Sequence, residues 1–333
     1  MPRNEKGKQK LFRIVEILMR YTDEEHGLTI NEIIQKLSEY GICAERKSLY
    51  DDFLVLEEIG IPVLKNKAKQ TRYYIDYHIF ELAELKMLAD AVQSSKFITA
   101  KKSRELISRL EGFTSIYRSK ELSRQIFVED RVKTSNPASI YTVDSVHNAI
   151  NSDKRLLFHY FDYDSEKKKR LRRDGAFYEV SPISLVWSEE NYYLVAFEEE
   201  TEKIKHFRID KMLDVMPSDK ARSHNEALER FNPSQYSRKL FGMYGGREEL
   251  VTFECRESLA GAMIDRFGMD PVFHKTDFGF KFSLRVMVSP TFFAWVLGFG
   301  NQIRILAPDG VIAELCEILK NTYKLYEENN EKI

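Results

Sequence analysis

The sequence predicts an α+β multidomain chain. Its parts are three short helices closed by a β-hairpin, a helical connector, a small β-barrel or sandwich, and a C-terminal α+β module. Three patterns predict these parts: helical apolar spacing in the first part of the chain, short evenly spaced strands in the middle, and alternating strands and helices at the end. A length of 333 residues fits more than one domain. We expect domain boundaries at 1–78, 79–135, 136–230 and 245–330.

Composition excludes several classes of protein. Lys and Arg number 51 and Asp and Glu number 52, so the chain is neither globally basic nor acidic, although local basic patches remain open. The three cysteines are far apart and predict neither a disulfide framework nor a CxxC metal site. No apolar run of about 18 residues and no signal-like start occur. We expect a cytoplasmic protein that does not enter a membrane.

The first part reads as three helices and a hairpin. Apolar residues share one face of a helix over 8–20, and Thr29 begins a capping box for a second helix that Gly41 ends. A third helix is predicted over 45–58, and 63–77 reads as two strands around a basic turn. This order of elements is the winged helix-turn-helix plan, in which the hairpin is the wing.

The central and C-terminal parts follow in order. Residues 79–126 predict connector helices of the kind that pair between subunits, and 133–139 reads as a polar linker. Short strands are then predicted at Arg155–Tyr163, Glu179–Trp187, Asn191–Phe197 and Lys203–Ile209. From about Glu248 the pattern is β-α-β-α, with helices at Ser258–Phe267, Pro290–Leu297 and Gly310–Tyr326.

The third helix and the wing predict an interface with duplex DNA. Cationic and hydroxyl side chains suit base edges and phosphates, and we expect such contacts from Arg46, Lys47, Ser48, Tyr50, Lys65, Lys67, Lys69 and Arg72. No acidic residue occurs between Val63 and Tyr74. Asp51 on the helix would repel phosphate, and Asp52 is expected to brace the domain internally. The alternative is a solvated basic hairpin on an ordinary helical domain.

The run from Ser181 to Asp210 resembles the WYL domain of bacterial transcription regulators. The residues that carry the resemblance are Ser181-Pro182, Tyr192-Tyr193-Leu194 and Phe207-Arg208-Ile209-Asp210, with Tyr192 in place of the family's Trp. The resemblance covers nearly the whole chain, because the family's layout is a winged helix, a connector, a WYL domain and a C-terminal extension. It implies an Sm-like or SH3-like barrel that senses a ligand, with nucleic acid or nucleotides as ligands in the members that are understood.

Strand alternation predicts a sensing face on this barrel. Phe207 and Ile209 need the core, so His206 and Arg208 should project outward together, beside Tyr193. The full predicted anion site is Arg155, His159, Ser181, Tyr193, His206 and Arg208. A basic run at 167–173 either adds to this site or is a solvated hairpin tip. For Arg208 an ion pair with Asp210 is the alternative, and His159 is as readily structural.

Nothing in the sequence predicts catalysis. Serine-hydrolase, P-loop, zinc-protease and dinucleotide motifs are absent, and the glycine-rich 242–246 reads as a linker. We therefore expect no enzyme, no metal and no cofactor. The prediction is a homodimeric regulator that binds a duplex operator and senses a nucleic-acid-derived or other anionic ligand, such as a single-stranded nucleic acid or a nucleotide. The C-terminal module is expected to position or cover the ligand site across the dimer. The alternatives are a barrel that serves as an interaction or dimerisation module on a constitutive repressor, and a nucleic-acid-processing enzyme.

Overall fold

The computed structural model describes residues 3–67, 70–122, 133–224, 232, 236 and 238–330. The chain divides into two compact units between Pro137 and Ala138. This division falls inside the polar segment that the sequence indicates as a linker. In the described ranges, no helix is both long and apolar enough to cross a bilayer.

The first unit begins with the elements that the sequence predicts. They are α1 (Arg3–Tyr21), α2 (Ile30–Glu39), α3 (Arg46–Glu58), β1 (Val63–Lys67) and β2 (Thr71–Ile75). The predicted capping box is present: the Thr29 hydroxyl accepts from the Glu32 N–H, and the Glu32 carboxylate accepts from the Thr29 N–H over 2.6 Å. The core contains one face of each helix and the inner side of β2, with Ile14, Leu18, Ile33, Leu37, Leu49, Leu56, Tyr73 and Ile75 buried.

The hairpin has a second pairing, beyond that of β1 with β2, which the sequence does not predict. Leu28 donates its N–H to the Tyr73 carbonyl over 2.9 Å and accepts from the Tyr73 N–H over 2.7 Å. The chain approaches β2 closely here, since a Cβ atom on Gly27 would lie 2.7 Å from the Arg72 Cβ. Glycine therefore allows the turn before α2 to pair with the hairpin.

The connector helices of the first unit are α4 (Leu82–Ser94), α5 (Ala100–Glu111) and the short α6 (Ser119–Leu122). Thr99 caps α5 by accepting from the Lys102 N–H over 3.2 Å. The buried Asp23 carboxylate joins the α1–α2 turn to the segment after α5. It accepts from His26 Nδ1 over 2.7 Å and from the Ser115 hydroxyl over 2.6 Å.

The second unit starts with a helix and a curled antiparallel sheet. The elements are α7 (Ser139–Asn151), β3 (Lys154–Tyr163), β4 (Lys169–Leu171), β5 (Tyr178–Ser188), β6 (Asn191–Glu198), β7 (Lys203–Arg208) and β8 (Met212–Ala221). The strand order is β4-β3-β5-β6-β7, and β8 also pairs with β3. The prediction of a barrel is thus met only in part, because no pairing among the described residues joins β7 to β8.

The C-terminal module is a four-stranded antiparallel sheet with helices. Its elements are β9 (Arg247–Cys255), α8 (Ala260–Phe267), β10 (His274–Lys275), β11 (Phe280–Val288), α9 (Pro290–Leu297), β12 (Ile303–Ala307) and α10 (Asp309–Asn330). The strand order is β10-β11-β9-β12. Phe253 and Phe282 on the sheet are buried with Met263 of α8, Phe292 of α9 and Val311 of α10. The three helices lie close to the predicted ranges, and the short strands β10 and β12 add to the predicted β-α-β-α pattern.

Candidate functional site

The exposed side of α3 carries the side chains predicted to contact DNA. Arg46 and Lys47 are exposed, and Ser48 and Tyr50 are half-buried. The opposite side of the helix lies in the core through Leu49, Phe53 and Leu56. The helix is therefore fixed to its domain by one side and presents two cations at its N-terminal end.

Two tyrosines hold Arg46 in place. The Tyr50 hydroxyl accepts from Arg46 Nε over 3.1 Å and from the Tyr73 hydroxyl over 3.3 Å. These two hydrogen bonds, the one from Tyr73 first, lower the pKa of Tyr50. Burial raises the pKa of Tyr73 to about 12, and the bond to Tyr50 adds to the effect. A buried hydroxyl of β2 is thus connected through Tyr50 to the guanidinium of Arg46.

One of the predicted hairpin cations, Arg72, has partners within its own domain. Arg72 is not unopposed: its Nη1 donates to the Gly27 carbonyl over 2.7 Å and pairs with Glu32 at 3.4 Å. Arg72 therefore holds β2 to the start of α2. Lys65 is exposed as predicted, Lys67 is described by its backbone alone, and Lys69 lies outside the described residues.

Asp52 braces the domain, as the sequence analysis expects. Its carboxylate pairs with Lys10 of α1 at 2.6 Å, and the same ammonium donates to the Ser48 hydroxyl. Lys10 is therefore engaged with α3. Asp51 is exposed, so the carboxylate expected to repel phosphate lies on the open side of the helix.

A cavity of about 920 Å³ lies beside β7 in the second unit. We call it the basic cavity, because five cationic side chains and one carboxylate occur among its described lining residues: Arg172, Lys205, Arg208, Lys211, Arg266 and Glu189. Tyr193, His206 and Arg208 all line it, and Lys205 and Phe207 of the alternate side of β7 also border it. Phe207 and Ile209 are buried, as strand alternation predicts, but alternation does not separate the residues that border the cavity from those that do not. The three side chains, expected to project outward, line a cavity with further walls.

Arg208 is bound at the edge of the cavity by a carboxylate. Its Nε and Nη2 donate to the two oxygens of Asp210 over 3.0 and 2.8 Å, and Nη2 also donates to Asn191 Oδ1. Burial disfavours the charge of Arg208, but Asp210 outweighs burial and the pKa of Arg208 is raised. The ion pair that the sequence analysis keeps as an alternative is present, and the guanidinium still lines the cavity.

His206 and Tyr193 have apolar surroundings. Burial lowers the pKa of His206 to about 4, against a hydrogen bond with the Met243 backbone that raises it. The His206 ring lies 5.5 Å from the Tyr236 ring, measured between centroids. Burial also raises the pKa of Tyr193. At neutral pH both side chains are uncharged, so Arg208 is the charged member of this predicted trio.

Three predicted ligand residues lie outside this cavity, so the prediction of one six-residue site is wrong. Ser181 is fully buried, and its hydroxyl donates to the Glu199 carboxylate and accepts from the Ser223 N–H. Arg155 donates to the Ala221 carbonyl over 3.0 Å and belongs to the same network. His159 stacks against Phe177 with 3.7 Å between ring centroids. On β3 and β5 the residues that line the cavity are Tyr160 and Tyr178, which lie on the strand faces opposite to His159 and Ser181.

The basic run at 167–173 has two roles. Arg172 lines the basic cavity and donates to Asp162 over 2.6 Å. Arg173 instead pairs with the buried Glu198 at 2.9 Å. Lys167 and Arg170 are exposed. Part of the run thus lines the cavity, and part is a solvated hairpin tip, so each of the two alternatives applies to some of its residues.

The remaining walls of the cavity come from residues that the sequence analysis missed. The glycine-rich segment read as a linker forms one wall through Gly242, Met243, Tyr244 and Gly245. Gly242 has φ +59°, which allows a sharp bend beside Glu189. Arg266 and Trp295 of the C-terminal module complete the lining. Nothing in the sequence indicates that Arg266 and Trp295 lie near β7, because only folding brings these distant parts of the chain together. Among the described residues, no His, Cys, Asp and Glu cluster fit to hold a metal occurs.

Two parts of the second unit match known domain families. Residues 141–217 match the model of the WYL domain, and residues 247–323 match the model of the WCX domain. We refer to these two matched parts as the WYL domain and the WCX domain. The Tyr192 ring, which replaces the Trp of the WYL tripeptide, packs against Trp187 with 4.6 Å between centroids, as expected for an aromatic packing position. The basic cavity lies where the WYL domain, the glycine-rich segment and the WCX domain meet.

Similar solved structures share low identity with this WYL–WCX chain. One is the proteasome accessory factor B/C (PafBC) of Arthrobacter aurescens, with 14% identity and a TM-score of 0.27 over 93% of this chain and 46% of that chain. The chain therefore spans a little under half of PafBC. Another is a CRISPR Cas-related protein, with 11% identity and a TM-score of 0.38 over 96% of this chain and 86% of that chain. No curated protein sequence matches.

Proposed function

We propose that this protein is a ligand-responsive, DNA-binding transcription regulator that acts as a homodimer. The first unit is interpreted as a winged helix-turn-helix, with α3 in the major groove and the hairpin as the wing. The single observation that carries this proposal is α3 itself. It exposes Arg46 and Lys47 at its N-terminal end while Leu49, Phe53 and Leu56 anchor its other side.

The WYL domain supports a regulatory role for the second unit. Its basic cavity has the size and the charge expected of a site for a compact anionic ligand, because binding pockets of this kind occupy about 300–1,000 Å³ and five cations line this one. We propose that a nucleic-acid-derived ligand enters the cavity and contacts Arg208, His206 and Tyr193. Ligand binding would then change the affinity of the first unit for its operator.

The test is duplex binding by the full chain. Sites should first be selected from random duplex DNA, and affinity then measured by fluorescence anisotropy between 50 and 300 mM salt. Replacing Lys65, Lys67 and Lys69 together by alanine should weaken all sequences alike and reduce the salt slope by roughly 1 per lost phosphate contact. Arg46→Ala should instead change which sequence is preferred. Failure of the wild-type chain to bind any duplex at low salt would refute the DNA-binding half of the proposal.

A second candidate is a WYL domain that acts as an interaction module on a constitutive repressor. The bonding of Arg208 to Asp210 and Asn191 favours it, because this arginine already has partners within the protein. The two candidates differ in one measurement. If saturating oligonucleotide leaves operator affinity unchanged while the chain remains dimeric, the interaction module is supported.

We also propose that the protein has no catalytic activity. A single-turnover assay with labelled single-stranded and duplex DNA, run with and without Mg²⁺, tests this directly. Cleavage that disappears with an Arg208→Ala substitution would contradict the proposal.

A further inference from the structure

Charge balance inside the basic cavity singles out one side chain. Four of the five cations contact a carboxylate of the described chain, in the pairs Arg208–Asp210, Arg172–Asp162, Lys211–Asp162 and Lys205–Glu198. The fifth, Arg266 of the WCX domain, forms no ion pair within the described ranges. Its positive charge is therefore the least compensated in the cavity.

Arg266 is held by groups that do not neutralise it. Its Nη2 donates to the Leu240 carbonyl over 2.6 Å, and its guanidinium carbon lies 4.7 Å from the centroid of the Phe241 ring. Burial lowers the pKa of Arg266, and the charge of Glu189 partly opposes this effect. A desolvated cation with only neutral contacts is costly, so an anion placed beside it is strongly favoured.

We propose that Arg266 is the residue that binds the anionic group of the cavity's ligand. This inference rests on the proposed function, because it presupposes that the cavity takes an anionic ligand. The contact with Leu240 uses Nη2, which leaves Nη1 and Nε without partners among the described residues. A guanidinium fork of this kind binds a phosphate through parallel hydrogen bonds. Arg208 then has a secondary role, since Asp210 already compensates its charge.

The lining of the cavity indicates a phosphate attached to a base. Tyr193, Tyr244 and Trp295 contribute aromatic rings beside the cations, and such rings stack on bases regardless of sequence. A volume of about 920 Å³ admits a compact ligand and excludes a duplex. The ligand is therefore a nucleotide, either free or at the end of a short single strand. Bound there, it contacts Arg208 of the WYL domain and Arg266 of the WCX domain together.

The experiment uses the full chain and a 5′-phosphorylated deoxyadenosine tetranucleotide with a 3′ fluorophore. Binding is followed by anisotropy, and unlabelled 5′-dAMP and inorganic phosphate serve as competitors. Arg266→Ala should weaken tetranucleotide binding about 10- to 100-fold, as expected for a charge-assisted contact, and Arg266→Lys should give an intermediate affinity. Arg285→Ala removes the same charge from an exposed site on β11 of the same module and should leave affinity unchanged.

The outcomes separate this inference from the proposed function. If the wild-type chain binds and Arg266→Ala binds equally well, Arg266 has no role in binding and the proposed function stands. If the wild-type chain binds neither tetranucleotide nor dAMP, the ligand-sensing half of the proposed function fails and the inference fails with it. If dAMP competes, the inference holds and the phosphate bound by Arg266 belongs to a free nucleotide. If only unlabelled tetranucleotide competes, the inference holds and the phosphate belongs to the end of a strand. If the Arg266→Ala protein does not fold, Arg266→Gln replaces it, because glutamine keeps a donor for the Leu240 carbonyl. Its tetranucleotide affinity is then compared with that of the wild-type chain in the same way.

Discussion

Tyr50 links the exposed Arg46 of α3 to the buried Tyr73 of β2. Its hydroxyl accepts two hydrogen bonds, from Arg46 and from Tyr73, so its own proton remains for an outside acceptor. A phosphate oxygen of bound DNA would be such an acceptor. The arrangement fixes the direction of Arg46 in the free protein, so under the proposed function less entropy would be lost when the arginine contacts a base.

Tyr73→Phe tests this arrangement without altering the exposed surface. The substitution removes the buried hydroxyl that holds Tyr50, so we expect base discrimination at the position read by Arg46 to fall about 3- to 10-fold, the value of one ordinary hydrogen bond. The salt slope should stay constant because no charge is lost. Competition between the selected duplex and single-base variants measures the effect. Tyr74→Phe is the matched control, and an equal loss there would contradict the role of Tyr73.

His206 makes stability depend on pH in a predictable direction. Burial lowers its pKa from 6.5 to about 4, so between these values the unfolded chain binds a proton that the folded chain does not. Folded stability is therefore complete above the ordinary pKa and decreases as the pH falls toward 4. At pH 5 this residue alone should cost about 2 kcal/mol relative to pH 7.

Urea unfolding at pH 7 and pH 5 measures this contribution. His206→Gln cannot titrate, so its stability should decrease less between the two pH values than that of the wild-type chain. His274→Gln, at an exposed position on β10, should retain the wild-type pH dependence. Equal pH dependence in all three proteins would show that His206 titrates normally.

At the scale of single elements, the hairpin divides its cations between two tasks. Lys65 of β1 is exposed, whereas Arg72 of β2 bonds to the Gly27 carbonyl and to Glu32 at the start of α2. The Leu28–Tyr73 pairing lies beside this contact. Arg72 therefore holds the hairpin to α2 and to the turn before it. Wing orientation and domain stability are therefore linked at one residue.

Arg72→Ala and Lys65→Ala should consequently differ. Loss of the Arg72 contacts should lower the free energy of unfolding by about 1 kcal/mol, since a charge-assisted hydrogen bond is broken at a partly exposed site. Lys65→Ala should leave unfolding unchanged and reduce the salt slope of DNA binding by roughly 1. Chemical denaturation and anisotropy titrations measure the two effects. A stable Arg72→Ala protein with a reduced slope would return Arg72 to the DNA-contacting set.

At the scale of the whole molecule, the connector offers an apolar surface for a partner subunit. Met87 and Leu88 of α4 are 72% and 39% exposed, while Leu85 and Ala89 of the same helix are buried. An amphipathic helix that keeps large apolar residues on its open side is typical of a subunit contact. The prediction of a dimer through residues 79–126 remains a prediction, and these side chains are its test.

Light scattering of the full chain provides the measurement. Met87→Glu combined with Leu88→Glu should convert a dimer into a monomer, because two charges would be buried in the contact. Met269→Glu, at an 80% exposed position in the WCX domain, should leave the dimer intact. A dimer that survives the double substitution would move the interface to residues 245–333.

Much of the architecture follows from local pattern. The Thr29 capping box, the end of α2 at Gly41 and the alternation around Phe207 each depend on residues close together in the chain, and the structure has all three. The candidate site follows only in part. Tyr193, His206 and Arg208 line one cavity, but the sequence also groups them with Ser181, which is buried against Glu199.

The sequence by itself determined the helices, the strands and which side of each faces the core, because hydrophobic periodicity and capping act over a few residues. It also determined the two cations at the start of α3 and the basic character of the hairpin. Only the tertiary structure decided which cations are compensated. Asp210 pairs with Arg208, Glu32 with Arg72, and no described carboxylate pairs with Arg266. Folding sets these distances, and charge interactions depend on distance in space rather than on spacing along the chain.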